Sequence, residues 1–251
     1  MKVTLKTILN DPSTFFETLT GHKPHDYQET ILTHDLKGGK RLVALICRRA
    51  GKSTVIAVKT LYEAIRTTVK DFQAIVCSPS LRQSQYIYEP ARSFCYHPLI
   101  AKLIKACEQQ QGRKLADNLE RFALPNMGGG VSTIILFGGD SSKAGKYLTG
   151  AKADLLNFDE SAEIASGSYA KLLPSNWTGE YACEIDVGTP RATDGWFYEN
   201  ARPVNDEWNE AYNSEYVSAL GYECIHRDYE NIPHFREPHV WQRIQQDISR
   251  M

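Results

Sequence analysis

An apolar run, Arg41-Leu42-Val43-Ala44-Leu45-Ile46-Cys47, passes directly into Arg48-Arg49-Ala50-Gly51-Lys52-Ser53-Thr54. Behind it Val55, Val58, Leu61, Tyr62, Ile65 and Val69 recur every three or four residues. The run is short enough for a buried strand, and the recurrence lays one apolar stripe along a helix from Lys52 to Val69. The junction therefore demands a strand, a tight loop and a helix folded back onto the strand. A second run, Phe72-Gln73-Ala74-Ile75-Val76-Cys77, closes at Ser78-Pro79-Ser80, where Ser80 suits the N-cap of a helix toward Arg92. The unit is β-α-β. Residues 24–36 also read as helix, and 131–137, 154–158 and 181–187 as further buried strands. Continuous apolar strands alternating with helices predict an α/β fold with a mostly parallel sheet covered on both faces. Residues 109–130 read as an insertion of loops and a short strand. After Pro203 the aromatic residues Trp208, Tyr212, Tyr216, Tyr222, Tyr229 and Trp241 sit among polar neighbours without a strong strand run, which sets 203–251 apart as a small subdomain or connector.

Charge narrows the partners. With 29 Lys+Arg against 30 Asp+Glu, the net charge is -1, so any grip on a polyanion must be local. The chain of 251 residues is long enough for a substantial core. No apolar run approaches the ~18–20 residues of a membrane span, and the start lacks a signal-peptide apolar region, so an intracellular protein is expected. Six cysteines (Cys47, Cys77, Cys95, Cys107, Cys183, Cys224) form no C-x-x-C pair, which argues for reduced thiols rather than zinc or a disulfide framework.

The strand-to-helix junction also carries chemistry. Consecutive loop amides can cradle phosphates, a lysine can reach the β/γ oxygens, and a hydroxyl at the helix start can meet Mg²⁺. Of three Gly-Lys pairs, only Gly51-Lys52 is followed by hydroxyl residues, Ser53-Thr54. The first glycine of the usual G-x-x-x-x-G-K-[ST] pattern is replaced by Ile46, and an ordinary strand-to-helix turn is the plainer reading of the triplet alone. A second site should close another strand. In Leu155-Leu156-Asn157-Phe158-Asp159-Glu160, Asp159 would orient Mg²⁺ or its water shell, and Glu160 would polarise a water attacking a γ-phosphate. Two acids beginning a helix are the plainer reading there, and Glu163 reads as solvated surface. Gln28 can donate to and accept from an adenine edge, whereas Tyr27 packs rather than stacks. Thr189, in Gly188-Thr189-Pro190, ends a further strand where a hydroxyl can sense the γ-phosphate, or marks a plain turn.

In order and spacing, Tyr27-Gln28, residues 47–54, Ser78-Pro79, residues 155–160, 187–191 and Gly195-Trp196-Phe197-Tyr198 resemble the ATPase domain of large terminase subunits, the DNA-packaging motors of tailed bacteriophages. That family commonly lacks the first P-loop glycine and carries an arginine in the loop, matching Ile46 and Arg48-Arg49. The resemblance implies a P-loop NTPase domain of the additional-strand, catalytic-glutamate (RecA-like) type over residues 1–202, with a lid or linker over 203–251. It implies an adenine motif at Tyr27-Gln28, a phosphate cradle at Arg48, Arg49, Ala50, Gly51, Lys52, Ser53 and Thr54, Mg²⁺ at Ser53 and Asp159, a catalytic role for Glu160, Lys52 and Arg48, and coupling through Thr189. ATP hydrolysis would then drive double-stranded DNA into a procapsid in the host cytoplasm. The implied partners are the portal protein, the small terminase subunit and other copies in a ring, the chain being monomeric in isolation. Where the family often places a trans-acting arginine, Leu148-Thr149-Gly150 stands; Lys146 or Lys143 is the expected substitute, with a solvated loop as the other reading. No nuclease activity is expected of these residues. A helicase-like ATPase and a nucleotide-dependent binding module without turnover are the rival readings.

Overall fold

The computed structural model describes residues 8–248 apart from 36, 37, 113, 119, 141–151, 178, 180 and 192. Helix α1 (Pro12–Thr20) starts where the Asp11 side chain accepts from the amides of Ser13 and Thr14, with Pro12 fitted to the first turn. Helix α2 (Asp26–Thr33) follows, then strand β1 (Arg41–Ile46) and helix α3 (Lys52–Arg66). Strand β2 (Gln73–Ser78) leads into α4 (Leu81–Cys95), whose Ser80 cap and Gln83 form the reciprocal capping box. Helix α5 (Pro98–Gln111) and strands β3 (Arg121–Pro125), β4 (Val131–Gly138) and β5 (Leu155–Asp159) come next. Helix α6 (Ser166–Asn176), β6 (Cys183–Gly188), α7 (Trp196–Ala201), α8 (Trp208–Ala211), β7 (Glu215–Val217), β8 (Glu223–Arg227) and α9 (Pro238–Ile248) complete the order.

The strands form one sheet in the order β3-β4-β2-β5-β6-β1-β8-β7. From β4 to β8 every neighbouring pair is parallel, and only β3 and β7, at the two edges, run antiparallel to their neighbours. Strand β6 lies between β1, which feeds the loop, and β5, which ends in Asp159. That interposed strand is the mark of the additional-strand class expected above. Alternation along β1 explains why both faces are covered: Leu42, Ala44 and Ile46 point into a core with Phe15, Tyr27 and Ile31, while Val43 and Leu45 meet Phe197, Ala201 and Tyr222. No described helix is long and apolar enough to cross a membrane. All six cysteines are free thiols.

One organisational expectation needs correction. The stretch after 203 is not set beside the sheet; β8 pairs in parallel with β1, Val43 opposite Cys224 and Leu45 opposite His226. Its sequence, Glu-Cys-Ile-His-Arg, hides the strand because only Cys224 and Ile225 are well buried and apolar. Helix α5 runs to Gln111, into the start of the expected insertion, and β3 is the short strand anticipated within it.

Strand β6 also buries two acids, Glu184 and Asp186, on one face. The Tyr169 hydroxyl donates to Glu184 Oε1 at 2.7 Å, and Asn200 Nδ2 donates to Asp186 Oδ2 at 3.1 Å. Burial pushes both carboxyls above their ordinary range. A group that keeps its proton when folded and loses it when unfolded makes stability fall as pH rises from the ordinary carboxylate range toward the raised value. Asp186→Asn should therefore flatten the loss of stability that accompanies a rise in pH above the ordinary carboxylate range, read by urea denaturation; an unchanged slope would show that the pair does not hold the proton.

Candidate active site

The tips of β1, β5 and β6 converge at the carboxyl end of the sheet, where ligands of open α/β sheets bind. After β1 the chain turns sharply, with Arg49 at φ 61° and Gly51 at φ 77°. Gly51 is favoured here because its backbone is left-handed; a Cβ there would also lie 2.8 Å from the tip of the Gln28 side chain, Nε2, which would have to give way. Gly51 caps α3 but has no side-chain acceptor, so the amides of the first turn are left for an anion. The loop is braced from behind. The Tyr27 hydroxyl donates to the Ala50 carbonyl, and His234 Nε2 lies 3.1 Å from the Arg49 carbonyl.

Lys52 is buried and turned back into this loop. Its Nζ donates to the carbonyls of Ile46 at 3.2 Å and Cys47 at 3.0 Å, and to Thr189 Oγ1 at 3.1 Å, with Glu160 Oε1 at 4.0 Å. Burial lowers its pKa, opposed by the charges of Glu160 and Asp159. Glu160 itself adopts φ 51°, ψ 43°, an uncommon backbone for a residue with a side chain and one that occurs where a site over-determines the conformation. Thus Lys52, Thr189 and Glu160, separated by as many as 137 positions of sequence, meet at one point.

Asp159 sits beside them, with Oδ2 3.5 Å from Ser53 Oγ. Its Oδ1 is buried without a hydrogen-bond partner, and burial, with the neighbouring Glu160 charge, pushes its pKa up to about 7. An orphaned carboxylate oxygen beside a hydroxyl is a hard oxygen donor pair, which fits Mg²⁺ bound through one or two protein oxygens and completed by water and phosphate. Among the described residues no group of three or more His, Cys, Asp or Glu side chains is placed to hold a metal by itself.

Tyr27 packs, as expected, and Gln28 is drawn into the same packing. Tyr27 is fully buried and holds the loop through Ala50, and Gln28 accepts from the His25 amide at 3.0 Å while its other end lies under Gly51. Both therefore brace the cradle, and Tyr27 presents no surface to a ligand. Glu163 is exposed, as expected, but it is also paired: Arg191 Nη1 contacts its Oε1 closely, and Arg48 Nη2 lies 3.8 Å from the same atom. No periodicity reveals such a contact, because its members come from three separate strand ends. Arg49 is exposed, and Thr54 is half-buried in the first turn of α3. Lys143 and Lys146 lie outside the described residues.

The chain matches no protein-family model. It is 27% identical over 191 residues to the large terminase subunit of Thermus virus P23-45, an alignment that takes in 75% of this chain and 38% of that protein. It thus spans about two fifths of the length of the curated relatives it matches. The large terminase ATPase domain of Thermus phage P74-26 shares its fold with a TM-score of 0.63 at 21% identity, covering 93% of each chain. The large terminase of a thermophilic bacteriophage, solved in complex with ATP-gamma-S, superposes with a TM-score of 0.53 at 14% identity over 88% of this chain and 48% of that one.

The brace from Tyr27 can be tested without touching the loop. Tyr27→Phe removes one buried hydroxyl and leaves the Ala50 carbonyl unpaired, which should lower stability by about 1–2 kcal/mol and weaken binding at the loop. Thermal denaturation and anion titration of the same sample check both; a variant as stable as the parent would mean that the hydroxyl does not carry the loop.

Proposed function

We propose that this chain, which has the fold of phage large-terminase ATPase domains and resembles large terminase subunits in sequence, binds ATP at residues 48–54 and hydrolyses it. The observation that carries the reading is the meeting of Lys52 with Thr189 and Glu160 at the tips of β1, β6 and β5. Phage large terminases of this fold have been solved with ADP and with ATP-gamma-S, in keeping with a nucleotide here.

In this reading the amides of Arg49, Ala50, Gly51, Lys52, Ser53 and Thr54 receive the phosphates. Lys52 exchanges the carbonyls of Ile46 and Cys47 for phosphate oxygens, a substitution that gives a buried ammonium an anionic partner. Ser53 and Asp159 would hold Mg²⁺, which supplies positive charge to the phosphates when bound. Glu160 takes the proton of the attacking water as general base. Thr189, already bonded to Lys52, moves with it and passes the change to β6, a strand in the interior of the sheet. Arg48 supplies a cation from the same chain, and Lys146 or Lys143 one from a neighbouring copy, since cations facing the phosphoryl group in its transition state typically contribute ~10³–10⁵ in rate.

At the level of the whole packaging machine, hydrolysis would move double-stranded DNA through a ring of copies docked on the portal protein, with the small terminase subunit delivering the substrate. The His234 contact to the Arg49 carbonyl supports a role for the segment around His234 in bracing the loop.

Phosphate release provides the test. Lys52→Ala should abolish ATP binding or turnover, and Glu160→Gln should keep binding but slow turnover by about 10²–10⁴. Asp159→Asn should raise the Mg²⁺ concentration needed for half-maximal rate. Undiminished hydrolysis in Lys52→Ala would overturn the site assignment.

A further inference from the structure

The cluster around Glu163 stands immediately above the site. Arg48 opens the loop after β1, and Arg191 follows Thr189 by two positions beyond β6. Because β1 and β6 are neighbours, the two guanidinium groups emerge side by side. Glu163 reaches them from the short turn Ser161–Glu163 after β5, on the other side of β6. That turn is fixed: the Ser161 hydroxyl donates to the carbonyls of Phe158 and Val187, both at 3.1 Å, and Trp196 Nε1 donates to the Ile164 carbonyl at 2.8 Å. The backbone of Glu163 is therefore anchored, and the side-chain contacts are what can change.

The charges do not balance. Arg191 and Arg48 approach the same oxygen, Glu163 Oε1, Arg48 only at 3.8 Å, beyond hydrogen-bond reach, so one carboxylate is shared between two guanidinium groups. The side chains of Arg48, Arg191 and Glu163 are 56%, 40% and 30% exposed, at the open side of the site. Two cations held together by one anion repel each other and present a surplus positive charge next to the loop. A triphosphate entering that loop brings several anionic oxygens and competes with one carboxylate for both cations.

We propose that Glu163 is a positioning residue that holds Arg48 and Arg191 in store at the mouth of the phosphate site, and that a bound triphosphate draws Arg191 from it as a second phosphate contact from the same chain. When hydrolysis removes the γ-phosphate, the lower charge lets Glu163 recapture Arg191, which aids release of the diphosphate. The inference rests on the nucleotide reading of the loop.

The test uses the full chain, with a non-hydrolysable ATP analogue and ADP as probes, and compares equilibrium binding with steady-state KM and kcat. Glu163→Gln removes the competitor for the two arginines. It should tighten analogue binding roughly threefold to fivefold, the scale of one half-exposed ion pair, and should lower KM and kcat together as ADP leaves more slowly. Arg191→Ala should weaken analogue binding by a similar factor and affect ADP less. In the double variant the tightening should disappear. Glu163→Asp, which keeps the charge, should restore parental affinity. Analogue binding by Glu163→Gln that is unchanged or weaker than the parent's, or full affinity in Arg191→Ala, would overturn the proposal. A merely structural Glu163 would lower melting temperature and affinity together, the opposite sign from the one expected. If the parent binds the analogue and Lys52→Ala does not, such a result refutes the role of Glu163 alone; if the parent binds no nucleotide, the nucleotide reading falls and this inference with it.

Discussion

A buried ammonium organises this end of the molecule. Lys52 Nζ is held by two carbonyls at the tip of β1 and by the hydroxyl of Thr189 beyond β6, and it faces Glu160 from the end of β5. Removing a lysine from water is unfavourable unless its donors are satisfied and an opposite charge is near. These partners satisfy it, and in doing so they fix three strand tips relative to one another. Around that point the chain accepts further costs: left-handed backbone at Arg49 and Glu160, and an unpartnered buried oxygen on Asp159. Unfavourable features of this kind concentrate where a ligand is to be met. The sheet makes them tolerable, because its central strands are bonded on both sides and covered by helices on both faces.

The same arrangement shows how a chemical event at the loop can be felt elsewhere. Lys52 is bonded directly to Thr189, so displacement of its ammonium toward an anion alters the end of β6. Farther back along the same strand, Asp186 is tied through Asn200 to α7, and Glu184 through Tyr169 to α6. Trp196 stacks on Tyr169 with ring centroids 3.8 Å apart, which joins those two helices. A physical path of packed and hydrogen-bonded groups thus leads from the loop to the outer face of the sheet. Its existence makes coupling feasible and does not by itself measure any.

The sequence made much of this legible for definite reasons. Residues 41–47 are apolar almost throughout because β1 is covered on both faces, and the stripe from Val55 to Ile65 is regular because α3 packs against the sheet, over β2, β3 and β4. Ser80 announced a cap that is present, with Gln83 completing it. Lys52, Ser53, Asp159, Glu160 and Thr189 were recognisable because each follows an apolar run, and strand ends in parallel sheets gather at one edge. What escaped had no such signal. Strand β8 is short, with two buried apolar residues, so its run is too weak to read. The pairing of exposed Glu163 escaped because local spacing says nothing about Arg191, which reaches it from another strand. That Tyr27 packs was expected, but its hydroxyl bond to the Ala50 carbonyl is a tertiary fact.

The most direct test of the central claim is a crystal structure of this chain with Mg²⁺ and a non-hydrolysable ATP analogue. The account predicts phosphate density over residues 48–54, Lys52 Nζ moved from the Ile46 and Cys47 carbonyls to the phosphates, and Glu160 facing the terminal one. Nucleotide density elsewhere on the molecule, with Lys52 still closed on its own loop, would contradict it.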